Sequence, residues 1–114
     1  MAKFMFLFRG NPPTQNTPEQ MQKLMNRWTA WIETLANGGH FHGVGDPLEH
    51  GGKTVRGPKR TVTDGPYAEA KDLVGGYLVI TARSIDEAVE LAGGCPALDG
   101  DWTVEVRPVR ATAT

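Results

Sequence analysis

Cysteine is nearly absent from this 114-residue sequence. Cys95 stands alone, so no disulfide can close within the chain, and a reducing, cytoplasmic setting is the simple expectation. An excess of one charge is missing too. Twelve Lys and Arg against thirteen Asp and Glu leave a formal charge of −1. The two signs are interspersed, which argues against the basic face that a nucleic acid or a membrane surface would favour. Nothing approaches the roughly 20 apolar residues of a membrane span. The apolar run near the N-terminus is stopped by Arg9, short of a secretory h-region of about 7–15 residues. No Gly-rich phosphate loop, dinucleotide fingerprint or Ser-His-Asp arrangement is present, and no cofactor is expected. With no internal repeat or low-complexity linker, the length fits one domain over residues 1–110 and a frayed tail at 111–114.

What is present reads as alternating strands and helices. In residues 3–9, Phe4, Phe6 and Phe8 point one way and Met5 and Leu7 the other, so this strand is apolar on both faces and needs cover on both. Thr17-Pro18-Glu19-Gln20 predicts a helix start, with Thr17 as cap, Pro18 at the first helical position and Gln20 closing a capping box. Met21, Leu24, Met25, Trp28, Ile32 and Leu35 follow at helical spacing until Gly38-Gly39. Residues 40–44 read as a short strand, 54–63 as a broken one, and 73–82 as a strand entered through Gly75-Gly76. Ser84-Ile85-Asp86-Glu87 predicts a second capping box and helix. Residues 102–109 close the chain as a strand, with Trp102, Val104 and Val106 on one face and Thr103, Glu105 and Arg107 on the other.

This order is β-α-β-β-α-β, an α+β ferredoxin-like arrangement in which both helices cover one face of an antiparallel sheet. The doubly apolar first strand then requires something on the open face. A second copy of the same sheet is the economical cover, so a homodimer is expected.

The chemistry concentrates in a few places. Asp64-Gly65-Pro66 is turn chemistry, in which Gly accepts positive φ and Asp bonds its own downstream amides. Asp64 and Glu69 could divide acid and base roles, or Asp64 could cap the amides of Tyr67 and Ala68 while Glu69 pairs with a nearby cation. Glu105 and Arg107 share a strand face, about 7 Å apart. Arg107 could fork onto a ligand carboxylate or tie down a protein one. His40 is the best placed lone acid–base candidate. His40, His42 and His50 match no zinc spacing, so no metal is expected. Most of Trp28, Trp31, Tyr67, Tyr77 and Trp102 should be core, although such residues could also line a pocket. Cys95 follows the second helix, where the dipole disfavours a thiolate.

The eleven residues from Val62 to Asp72, the Gly75-Gly76-Tyr77 step, the run Ser84-Ile85-Asp86-Glu87-Ala88 and the run Val104-Glu105-Val106-Arg107-Pro108 together resemble the YCII-related family, in the branch named for an Asp-Gly-Pro-Phe motif. Tyr67 stands where Phe is usual. The resemblance runs from Lys3 to about Val109. It implies a dimeric α/β barrel, two ferredoxin-like sheets face to face, and a small-molecule site. Some relatives are enzymes of the lactone-isomerase or dehydrochlorinase kind, and others occur beside or fused to transcription factors. The His–Asp pair of the YciI-like branch places its His on the first helix, which here has none; Trp28 takes that place, and the pair is not carried over. The expectation is a small anionic or aromatic ligand. Arg107, Tyr67 and Glu105 would bind it, and Asp64, His40 or Glu69 would move a proton in a cofactor-free isomerase or lyase. The alternative is a non-catalytic binding or interaction module serving a regulatory partner.

Overall fold

A computed structural model describes residues 1–10, 17–42, 45–49, 51–65 and 73–111. Its first strand, β1 (Ala2–Arg9), realises the expected alternation: Phe4, Phe6 and Phe8 are buried, while Met5, Leu7 and Arg9 are half-buried on the other side. Helix α1 (Pro18–Asn37) opens with the full capping box. Gln20 N donates to Thr17 Oγ1, and Thr17 N donates to the Gln20 side chain, so two otherwise orphaned amides are satisfied reciprocally.

Two short strands, β2 (Lys53–Arg56) and β3 (Thr61–Asp64), pair antiparallel as a sheet of their own. Residues 54–63 are therefore a hairpin rather than one broken strand; the break at Gly57-Pro58 is its turn. Strand β4 (Val74–Ala82), helix α2 (Ile85–Ala92), a 3₁₀ turn (Pro96–Asp99) and β5 (Thr103–Pro108) complete the chain. Ser84 Oγ caps α2 by accepting from Glu87 N. The second capping box does not close on Ser84. The Glu87 carboxylate accepts instead from Arg83 N, one residue earlier.

The main sheet has the order β4-β1-β5, with β1 antiparallel to both neighbours. Of the strand expected at 40–44, the described residues His40, Phe41 and His42 form only an isolated bridge, Phe41 with Ile80. The described residues from His40 to Leu48 instead run along the free edge of β4, tied by Thr81 N to His40 O, His42 N to Val79 O and Leu48 N to Gly75 O. Six steps from Phe41 to Pro47 span only four from Ile80 to Gly76, and this mismatch prevents a continuous ladder. Gly45 belongs to this edge: a Cβ there would lie 1.6 Å from the carbonyl oxygen of Tyr77. With that edge in the fourth position, the architecture is the ferredoxin-like α+β fold.

Phe4, Phe6 and Phe8 meet Leu78, Ile80 and Ala82 of β4 beneath Trp31 and Leu35 of α1 and Ala88 and Ala92 of α2. Both helices thus cover one face of the sheet. Trp28 and Trp31 join this core as expected; Phe8 meets the edge of Trp28 at 5.0 Å, and Trp31 stacks on Phe6 at 6.1 Å. The indole N–H of Trp31 donates to Leu91 O, so burying it leaves no orphan donor. Cys95 is buried in the same core, and burial pushes its thiol up to about 11. At pH 8 only about one part in a thousand is thiolate. A maleimide added to native protein at pH 8 should leave Cys95 unlabelled for hours and label it at once in denaturant. Rapid native labelling would show that the core opens there.

Candidate functional site

The face of the sheet opposite the helices is lined by every other residue of three strands. Leu7 is paired with Tyr77 on one side and Glu105 on the other, and Met5 with Val79 and Arg107. Because side chains alternate, these residues share the open face with Arg9. Its middle is apolar, and a charged group stands at the β5 side. Arg9 Nε donates to Glu105 Oε1 at 3.0 Å, while Arg107 Nε lies 3.7 Å from Glu105 Oε2, beyond hydrogen-bond reach. The Glu105 carboxylate thus stands between two guanidinium groups. The Arg107 side chain is 66 % exposed, and its guanidinium makes no hydrogen bond among the described residues. Its forked donor edge is thus open to solvent.

Arg9 was missing from the sequence-based set of candidates. Its signal lay in the alternation that puts it on the face of Met5 and Leu7, but its partner is 96 residues away, which no local pattern displays. Glu105 and Arg107 do come together as expected. Asp64 does not join them. It ends the hairpin strand β3, its side chain is 90 % exposed, and it accepts from Lys53 Nζ at 2.5 Å across the ladder. This cross-strand ion pair arises because the hairpin register sets Lys53 opposite Asp64; the amides of Tyr67 and Ala68 that Asp64 was expected to cap lie outside the described residues. Glu69, Tyr67 and His50 lie outside the described residues.

His40 stands beyond β4, on the opposite side of β1 from β5 and far from the Arg9 end. Its Nδ1 lies 2.8 Å from Thr81 O, and Thr81 pairs with Lys3. From Lys3 to Arg9 is six residues, about 20 Å of strand. The carbonyl can only accept, so the neutral ring carries its proton on Nδ1 and presents Nε2 as a base. Glu87 Oε1 is 3.9 Å from the same Nδ1. Among the described residues no three His, Cys, Asp or Glu side chains converge as a metal site.

The Glu87 carboxyl is held below its usual range, first by the hydrogen bond from the Arg83 side chain and then by the one from the Arg83 amide. A depressed folded pKa contributes stability above the unfolded value, about 4.3, and that stability is lost as pH falls through the lower folded value. Thermal unfolding followed from pH 6 to pH 3 should therefore show native protein losing its advantage over Arg83→Gln in the acid limb. A constant difference across that range would remove the Arg83–Glu87 pair from the acid response.

No curated protein matches the chain. Among solved structures, 5-chloro-2-hydroxyhydroquinone dehydrochlorinase (TftG) from Burkholderia phenoliruptrix, in complex with 2,5-dihydroxybenzoquinone, is similar in fold. The TM-score is 0.53 at 18% identity, over 96% of this chain and 95% of that one. The YCII-related domain model matches residues 2–112, nearly the whole sequence, and the chain belongs to the YCII-related family.

Proposed function

We propose that the protein binds a small anionic aromatic molecule on the open face of its sheet, with Arg107 holding the anion and a second copy covering the face as in a dimeric α/β barrel. The observation that carries this reading is the unbonded donor edge of Arg107 beside the apolar floor of Met5, Leu7 and Val79. A planar ring suits that floor, Tyr77 offers an aromatic wall across Leu7, and Arg9 with Glu105 fixes the polar end. The fold shared with TftG, a dehydrochlorinase solved with a hydroxylated quinone, makes an elimination or proton transfer on a phenolic compound the reaction class to test. Asp64, His40 or Glu69 would then move the proton.

Small aromatic carboxylates and hydroxyquinones should raise the melting temperature of native protein. Arg107→Met keeps bulk and removes charge, so it should weaken their binding about tenfold to a hundredfold, the value of a charge-assisted hydrogen bond of about 1.5–3 kcal/mol. Equal shifts in both proteins would leave Arg107 outside the site. Chloride release from a chlorinated hydroquinone separates catalysis from binding. The non-catalytic module is the second reading, favoured by the local bonding of two of the candidate proton carriers, Asp64 to Lys53 and His40 to Thr81 O.

A further inference from the structure

The hairpin Lys53–Asp64 has no counterpart in the four-position sheet, and its chemistry calls for a partner. Val55 and Val62 sit opposite each other across its ladder and are 62% and 56% exposed. A lone two-stranded hairpin is marginal in water, and an apolar β-branched pair on its surface adds an unmet demand for cover. The chain measures 47 × 45 × 20 Å with a radius of gyration of 15.8 Å, against about 13 Å for a compact domain of this length. An element held away from the body accounts for such a shape.

Charge identifies what would cover the hairpin. Lys53, Arg56, Lys59 and Arg60 against Asp64 give it a net +3; as the whole chain carries −1, the other 102 residues carry −4. The hairpin is therefore complementary to the rest of its own sequence. The outer side of α2 offers the matching surface. Ile85 and Val89 are exposed one turn apart there, flanked by the exposed acids Asp86 and Glu90. We propose that the hairpin is an exchange arm, which seats Val55 and Val62 on Ile85 and Val89 of a second copy while Lys59, at its turn, meets Asp86 and Glu90. The inference shares a second copy with the reading above but rests on different residues.

The test uses full-length protein carrying Val62→Cys, labelled with a benzophenone maleimide; Cys95 is buried and stays unlabelled. Unlabelled and ¹⁵N-labelled copies are mixed, irradiated and analysed by mass spectrometry. Mixed-isotope cross-links to residues 85–92 are expected. Cross-links confined to one copy, or directed elsewhere, would overturn the arm. Lys59→Glu and Glu90→Lys should each raise the dimer dissociation constant, by about tenfold at low salt, and together should recover most of it. Failure of the pair to recover counts against the arm. Leu7→Glu distinguishes the two ideas: if it abolishes ligand binding while the cross-links persist, both surfaces stand; if ligand binding survives it, the open-face site falls and the arm remains.

Discussion

Phe6→Ala should cost about 3–5 kcal/mol of folding stability, the usual range for truncating a buried aromatic side chain. Phe6 is fully buried, stacks on Trp31, and lies on the central strand between Leu78 and Val106. Neither neighbouring strand can move in to fill the void without breaking its ladder to β1, so the cavity should persist. Domains of this size hold roughly 5–15 kcal/mol in total, and the variant should melt about 12–20 °C lower. The comparison is Phe41→Ala, at a partly exposed position on the edge of β4, which should cost about 1 kcal/mol or less. Urea unfolding of both variants decides the matter. Similar losses at the two sites would mean that the core is not centred on β1.

Gly45→Ala should also be damaging, although it removes nothing. The added methyl would sit 1.6 Å from Tyr77 O and 2.8 Å from Leu78 Cα. These are backbone atoms within β4, so no rotamer change can relieve the overlap. One side of the contact must move, and overpacking of this kind costs about 1–3 kcal/mol. The edge segment is the weaker side, since it holds to β4 through scattered hydrogen bonds rather than a ladder. The measurable consequence is faster hydrogen exchange at the Leu48 amide, which donates to Gly75 O, with the β1–β4 amides unchanged. Unaltered protection at Leu48 would place the segment elsewhere in solution.

Strong local signals carried most of this fold. The alternation in β1, the Thr17 capping box and the end of α1 at Gly38-Gly39 all held, because each depends on residues within a turn or two. The edge at residues 40–48 was less legible, since its path is set by the outer side of β4 rather than by its own pattern. The hairpin reads as one broken strand because Gly57-Pro58-Lys59-Arg60 lacks the Asn-Gly or Asp-Gly pair that announces a tight turn. At the candidate site, Glu105 and Arg107 followed from a period of two. Arg9 and its ion pair did not, since they require knowing that the first and last strands are neighbours. The pairing of Asp64 with Lys53 was hidden for a like reason, since only the hairpin register sets the two opposite each other.

The central position of β1 has a consequence for synthesis of the chain. The strand made first takes its two neighbours from residues 74–82 and 103–108, and 94 positions separate Arg9 from Thr103. At roughly 5–20 residues per second, the segment Phe4-Met5-Phe6-Leu7-Phe8 waits about 5–20 s outside the ribosome before its ladder can close. Until β4 follows, it is an apolar β-forming stretch with no partner, and until β5 follows one of its edges stays open; such segments are bound by chaperones and aggregate when these are scarce. Yield in a cell should therefore respond to translation speed and chaperone supply more than the finished fold alone would suggest.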